Sequence, residues 1–354
     1  MDNAGTITLA HGSGGLDSAE LMRSVFAKHF QNDTLDRLED AAVVELGDVS
    51  SGAALPGQIA VSTDSFVVDP LVFPGGDIGK LAVCGTVNDV LMSGAVPKYL
   101  TCGFIIEAGF QISLLDEICG SLAKTSREAG VTIISGDTKV IEGKNENGGL
   151  LINTTGIGVF DPTSEKTQRP KPSGLTPGDS LIVSGALGDH HATILSCRMG
   201  IENSIQSDCA LLSPATEALT KAGISIHAMR DVTRGGLATV LNELATASGV
   251  SIELTEGTIP VHEPVRALCG LLGLDPLYMG NEGKMVLIVA AEDESAALEA
   301  LHSTSIGKEA ALIGRILPYE SSKELLSPQV FMRTSIGGKR RIDSLYGEGL
   351  PRIC

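Results

Sequence analysis

The chain has 354 residues, more than one hydrophobic core usually organises, so two domains of roughly 150 residues each are expected. Hydrophobic residues at 43% and charged residues at 19% exclude a mainly disordered chain, and aromatics at 3% with no Trp argue against side-chain stacking as the main mode of recognition. A formal charge of −17 argues against duplex nucleic acid and anionic membranes, which reward Lys/Arg patches, but leaves a nucleotide open because divalent cations bridge phosphate to carboxylate.

The start, Met1-Asp2-Asn3-Ala4-Gly5, lacks the basic and apolar regions of a signal peptide. No run approaches about 18 consecutive apolar residues, so no membrane span is expected. His11-Gly12-Ser13-Gly14-Gly15 can present backbone N–H groups to an anion, although a flexible loop has the same composition. Asp40 follows in Gly/Ala-rich surroundings. A strand over Gln58–Ser62 runs into Thr63-Asp64. Phe73-Pro74-Gly75-Gly76-Asp77-Ile78-Gly79-Lys80 leads into a helix expected from Ile78 to about Met92, with Lys80 in its first turn and Asn88-Asp89 near its end. Neither glycine segment matches GxxxxGK[ST], which disfavours a P-loop fold.

A strand over Leu100–Glu107 is followed by a helix whose apolar stripe is Leu115, Ile118 and Leu122 and whose end lies near Gly130. Val131–Ser135 reads as a strand entering Gly136-Asp137, with Lys139 two residues on, and Leu150–Phe160 as the next strand. The polar segment from Phe160 to Gly174 carries three prolines and marks a domain boundary. Beyond it come strands over Leu181–Ser184 and Ile224–Met229, the latter running into Arg230-Asp231. Leu237, Val240, Leu241, Leu244 and Ala245 then form one helical stripe closed by Gly249, which Asp231 or Thr233 could cap and where a phosphate could rest. Glu282 sits in Asn281-Glu282-Gly283-Lys284 before a strand over Met285–Ala291. The stretch from about Pro318 to Gly338 reads as irregular, and Tyr346–Cys354 as a mobile tail. Strands and helices alternate in both halves, which favours α/β or α+β layers.

Seven cysteines show no CxxC pairing, which disfavours a zinc ribbon and suggests reduced thiols in the cytoplasm. Six of them read as small core residues, and the seventh, Cys354, lies on the tail. A flexible arm ending in sulfur can visit a partner and fold back into its own active site. Asp64, Asp137 and Asp231 each follow a strand, where α/β folds commonly place ligands. If such acids converge, two like charges 4 Å apart repel by about 4 kcal/mol at an effective dielectric of 20. Oxygen ligands without His or Cys suit Mg²⁺, which bridges carboxylates to substrate phosphates, so metal-bridged nucleotide binding is the economical reading. For any single Asp, a cap or a turn is the plainer role. Lys139 and Glu282 are candidate acid–base groups, each otherwise a surface charge.

Taken together, His11–Gly15, Ser62–Ser65, Phe73–Lys80 with Gly85–Val90, Ser135–Val140, Gly188-Asp189-His190, Arg230–Leu237, Asn281–Lys284 and the terminal Pro351-Arg352-Ile353-Cys354 resemble the HypE carbamoyl dehydratases of hydrogenase maturation, within the AIR-synthetase (PurM-like) superfamily. The resemblance covers nearly the whole chain. The interior motifs are shared loosely by the superfamily, and Pro-Arg-Ile-Cys singles out HypE. The resemblance implies a two-domain α/β (α+β) architecture: residues 1–160 for ATP binding and dimerisation, 161–175 as linker, 176–345 as the C-terminal domain and 346–354 as the tail. It implies Mg-ATP under the glycine-rich N-terminal segment and a homodimer. Asp40, Asp64, Asp89, Asp137 and Asp231 carry over as metal-associated acids, and Thr63, Lys80, Asn88 and Thr233 as nucleotide contacts. HypF would load a carbamoyl group onto Cys354. ATP-dependent dehydration would convert S-carbamoyl to S-cyano, with Glu282 and Lys139 as bases, and the cyanide would pass to iron on HypC–HypD. The Ser321–Gly338 region departs from the resemblance in being longer than the usual pattern. A selenophosphate- or thiamine-phosphate-kinase relative would have no need of Cys354, and a thiol carrier would bind nucleotide without turnover.

Overall fold

The computed structural model describes residues 7–12, 15–30, 32–37, 39–45, 57–143, 149–160, 169–319 and 327–345. Cys354 and the rest of the expected tail lie outside them, as does most of the expected linker. The N-terminal helical stretch comprises α1 (Leu16–Leu21), a π turn over Met22–Ala27 and α2 (Lys28–Phe30). Then come β1 (Ala42–Glu45), β2 (Gln58–Phe66), the short hairpin β3 (Val72–Phe73) and β4 (Gly76–Asp77), α3 (Ile78–Met92), β5 (Val96–Glu107), α4 (Ile112–Glu128), β6 (Thr132–Ile141) and β7 (Leu150–Val159). The second half has β8 (Ser180–Val183), α5 (Asp189–Met199), α6 (Ser213–Lys221), β9 (Ile226–Asp231), α7 (Gly236–Ser248), β10 (Val250–Thr255) and α8 (Glu263–Leu272). It closes with β11 (Met285–Val289), α9 (Glu294–His302), β12 (Ala311–Pro318), β13 (Val330–Arg333) and β14 (Lys339–Ile342).

Two mixed sheets result. The first has order β1-β2-β7-β5-β6, antiparallel except for the parallel β5–β6 pair. The second has order β14-β13-β10-β12-β8-β11-β9, parallel only between β10 and β13. This is the expected two-domain α/β architecture. Each sheet keeps most of its own core, but one apolar cluster runs across the boundary, joining Leu81 and Val87 of α3 to Ile182, Leu212 and Met229 of the second half.

Helix α3 is the element on which this junction turns. Asp77 starts it, its Oδ1 accepting from the N–H groups of Gly79 (2.7 Å) and Lys80 (3.0 Å). Nearly every residue of α3 is buried, so it has no polar face: one side meets the first sheet and another the second domain. Close approach to the sheet depends on absent side chains. A Cβ on Gly158 would lie 2.4 Å from Val90 Cγ1, and one on Gly85 2.8 Å from the Phe66 ring. Asn88 ties the helix to the second domain: its amide donates to Ala210 O at 3.0 Å and accepts from Leu212 N–H at 2.9 Å.

Three expectations from sequence need correcting. Asp64 and Asp137 lie within β2 and β6 rather than after them, because cross-strand pairing with β7 and β5 carries both strands past the aspartates. Part of the stretch expected to be irregular is strand β13, held by parallel pairing to β10. Cys197 is exposed and Cys119 only half-buried, so four rather than six of the interior cysteines are core residues. Among the described residues, no helix is long and apolar enough to cross a membrane.

The packing of α3 predicts a contrast between two glycines. Gly158→Ala should cost about 1–3 kcal/mol through overpacking against Val90. Gly120→Ala, on the exposed side of α4 with nothing within 4 Å, should be stabilising by about 0.5–1 kcal/mol. Urea denaturation midpoints of the two variants would show opposite signs.

Candidate nucleotide site

A cleft of about 450 Å³ lies where the two domains meet, lined by both and by the N-terminal stretch. The two-residue period of β2 turns Ser62, Asp64 and Phe66 to the helix side of the sheet. On α3, Leu81, Gly85 and Asp89 are four residues apart and so share the face that lines the cleft. These two periods bring Ser62 Oγ to donate to Asp89 Oδ2 at 2.6 Å. The second domain supplies Arg230 and Asp231 from the end of β9, then Thr233 and Arg234, then Thr239, Val240 and Glu243 from α7, and Glu282. The glycine-rich segment and the following helix form the remaining wall through His11, Gly12, Ser18, Leu21, Met22 and Phe26. Met22 and Phe26 give the cleft an apolar side that the low aromatic content did not suggest.

Seven carboxyl groups (Glu39, Asp40, Asp64, Asp89, Asp231, Glu243 and Glu282) face two guanidinium groups there. Arg230 is half-buried and spent: its Nε binds Asp40 at 2.7 Å and its Nη2 binds Glu243 at 3.1 Å. Burial works against the Arg230 cation, but Asp40 and Glu243 outweigh it and raise its pKa. Burial pushes the Asp89 carboxyl well above its usual range, and Asp231, Asp40 and Asp64 add to the effect. Asp231 is pushed up to about 8 by burial and by Asp40, with Arg230 opposing. Burial likewise raises Asp40, Asp64 and Glu243, each tempered by an arginine. Glu282 is raised well above its ordinary value by burial and then by Cys209, Asp231, Asp64 and Asp208. Burial thus disfavours the charged form of each of these carboxyls, a cost that a bound cation would relieve.

The position of Glu282 is fixed through its neighbour. Asn281 is fully buried; its amide donates to Val232 O (2.9 Å) and Met279 O (3.1 Å) and accepts from Gly188 N–H (2.7 Å). Gly283 follows because a Cβ there would fall 2.0 Å from Asp208 O. The motif Gly188-Asp189-His190 thus supports the site from behind. Asp189 accepts from His262 Nδ1 at 2.9 Å, and burial lowers the pKa of His190 to about 4.

Of the residues singled out from sequence, the cleft gathers Asp40, Asp64, Asp89, Asp231, Thr63, Thr233 and Glu282. It does not gather four others. Lys80 Nζ turns back to Gly75 O at 2.9 Å, and Asn88 has both ends of its amide engaged at the domain junction. Asp137 and Lys139 pair with each other at 3.4 Å on the exposed edge strand β6. Neither Asp231 nor Thr233 caps α7; its N-cap is Gly235 and no side chain accepts there. The sequence reading missed Arg230, Arg234 and Glu243 as individual groups. A cation in the last turn of a strand directed into the interior was the available signal for Arg230.

The oxygen-only donor set suits Mg²⁺, and carboxyls whose charged form burial disfavours fit a place where a cation and phosphates are expected. Among the described residues, no three His, Cys, Asp or Glu side chains form a ready-made cage.

Comparison with known proteins bears on what binds here. The AIR synthase related protein families match residues 38–160 (N-terminal domain) and 176–324 (C-terminal domain). The chain is 46% identical over 353 residues to the carbamoyl dehydratase HypE of Azotobacter vinelandii, covering 99% of this chain and 98% of that protein. It is 44% identical over 350 residues to the HypE of Escherichia coli K12, covering 98% and 99%. Among solved structures, HypE in complex with ATP matches with a TM-score of 0.78 at 44% identity, covering 99% of this chain and 100% of that one. HypE in a HypE–HypF complex matches with a TM-score of 0.80 at 40% identity, covering 92% and 99%.

The raised carboxyls make stability depend on pH. A folded-state pKa of about 8 for Asp231, against 3.8 ordinarily, means that the native state binds the extra proton between those values. In the absence of divalent cation and nucleotide, stability should therefore fall as pH rises through that window. Asp231→Asn should gain over the parent chain progressively from about pH 4 to about pH 8 and hold a constant margin above it. Denaturant titrations across that range check this.

Proposed function

The chain belongs to the HypE carbamoyl dehydratases of the AIR synthase-related family, and from that membership we propose how its cleft and its terminal cysteine carry out the reaction. It is an ATP-dependent carbamoyl dehydratase of hydrogenase maturation. Its substrate is a carbamoyl group carried as a thioester-like S-carbamoyl on Cys354. The cleft binds ATP, and the carbamoyl oxygen attacks the γ-phosphorus. The bond from that phosphorus to the bridging oxygen breaks and ADP leaves. The O-phosphorylated intermediate then loses phosphate as the C–O bond breaks and the two nitrogen protons are removed, which leaves the thiocyanate. An amide-like oxygen is a poor leaving group and a phosphate is a good one, so phosphorylation is what makes dehydration feasible.

Asp40, Asp64, Asp89 and Asp231 would hold Mg²⁺ against the phosphates, where the ion supplies charge neutralisation. Thr63 and Thr233, which line the cleft, would contact the nucleotide. Glu282, which lines the cleft, takes a proton from the carbamoyl nitrogen. The observation that carries this reading is the convergence of four of the motif aspartates with Glu282 in one interdomain cleft.

Asp137 and Lys139 stand outside that cleft, on a sheet face that also exposes Tyr99 and Ile105. Such an apolar surface favours a homodimer formed through it. There the two residues act at a site completed by the second copy. HypF would load the carbamoyl group, in keeping with the HypE–HypF complex, and the cyanide would pass to iron on HypC–HypD, all in the cytoplasm.

Intact-mass analysis after incubation with HypF, carbamoyl phosphate and Mg-ATP should show addition of a carbamoyl group followed by loss of water. Cys354→Ala should show neither change, and a chain lacking Cys354 that still yields cyanide for iron would overturn the reading. Glu282→Gln should accumulate the carbamoylated form, with dehydration slowed by about 100-fold or more.

A further inference from the structure

Helix α7 begins at the cleft with its N-terminus open. Its N-cap, Gly235, is left-handed with φ of 78°, and no side chain caps the first turn. The Gly236 N–H donates to Thr233 O at 3.0 Å, but the N–H groups that follow it in the first turn and the positive end of the helix dipole make such a terminus attractive to an anion. Two side chains at the same spot point the same way, independently of the helix. Thr239, one turn in, is 4% exposed and lines the cleft, yet its hydroxyl has no hydrogen-bond partner. Buried hydroxyls are ordinarily satisfied, so this one is a donor awaiting a ligand. A Cβ at position 235 would lie 2.4 Å from Thr239 Oγ1, so the glycine leaves that hydroxyl its space.

Arg234 is the second. Its side chain is half-exposed in the cleft, and its approach to Asp64, at 3.8 Å, is too long for a hydrogen bond. Arg230, by contrast, is held by two carboxylates at short range. Arg234 is therefore the guanidinium in the cleft whose donors can turn to an incoming group. A planar guanidinium matches the paired oxygens of a phosphoryl group.

We propose that Arg234 and the Thr239 hydroxyl, at the open start of α7, hold the γ-phosphoryl group while it passes from ATP to the carbamoyl oxygen, with Arg234 a catalytic residue. This rests on the dehydratase reading above. As the bond between the carbamoyl oxygen and the γ-phosphorus forms, the bond to the β,γ-bridging oxygen breaks, and its electron pair leaves with ADP. A proton from the carbamoyl nitrogen goes to Glu282. Charge on the three equatorial oxygens is then met by the Arg234 donors, the Thr239 hydroxyl and the helix terminus, which are already in place before the transfer.

The test uses the full chain with Cys354 carbamoylated by HypF. Arg234→Ala should release ADP about 100-fold or more slowly, with ATP affinity within about threefold of the parent. Its affinity for ADP with aluminium fluoride, a mimic of the phosphoryl group in transit, should fall by at least about 30-fold in the presence of Mg²⁺. Arg234→Lys should recover part of both. Thr239→Val should slow ADP release by about tenfold while leaving the thermal midpoint unchanged or raised, since it removes an unpaired polar atom. Arg234→Ala turning over at the parent rate, or weakening ATP and the aluminium fluoride complex equally, would overturn the assignment. If the parent chain itself releases no ADP once carbamoylated, the dehydratase reading fails and the assignment falls with it.

Discussion

The withdrawal of carboxyls from water, several of them beside one another, is the constraint around which this molecule is arranged. Asp40, Asp64, Asp89, Asp231 and Glu282 come from distant parts of the chain and from both domains, and burial raises the pKa of every one of them. A folded chain gains nothing from such a cluster by itself. The compensations lie on either side of it: Arg230 binds Asp40 and Glu243, and Ser62 donates to Asp89. What remains uncompensated is a demand for cations, which a nucleotide brings with its metal ions. Binding and catalysis thus draw on the same electrostatic tension.

The acids can converge only because α3 serves as a wall common to both domains. Glycines at 85 and 158 let it press against the first sheet, and Asn88 fastens it to the Ala210–Leu212 segment of the second domain. A helix with no exposed face cannot shift without disturbing both cores. This gives Asp89 a rigid mount and holds it close to Asp231, whose charge contributes to its raised pKa. The second domain answers with the turn after β9 and with Asn281, whose three hydrogen bonds connect the Gly188, Val232 and Glu282 segments. Functional groups on flexible-looking glycine motifs are therefore held by buried amides rather than by the glycines themselves.

A division of labour follows between the two arginines of the cleft. Arg230 closes the domain interface, and Arg234 remains available to substrate. Their positions four residues apart straddle the end of β9 and the start of α7. The first points into the interface while strand pairing still holds, and the second emerges once the chain has turned at the end of β9. Asp137 and Lys139 follow a different logic. They lie on the exposed edge strand of the first sheet beside apolar side chains.

The sequence by itself determined the two-domain α/β architecture, the limits of α3 and the end of α7, because helical period and strand alternation are local; it also marked most of the acids that the cleft gathers, since those aspartates stand in local motifs, but it counted Asp137 among them and passed over Glu243. Helix α3 was legible from Ile78 to Met92, and α7 up to Gly249. Strands β10, β12, β13 and β14 were not, since short apolar runs gain their strand character from neighbours far away in the chain. Nor could spacing show that Asn88 and Lys80 turn away from the cleft while Asp89 and Thr233 face it. Only the tertiary structure decided which charged groups are paired, which are buried and which still lack a partner, because those properties depend on distance and solvent exclusion, and neither is written along the chain.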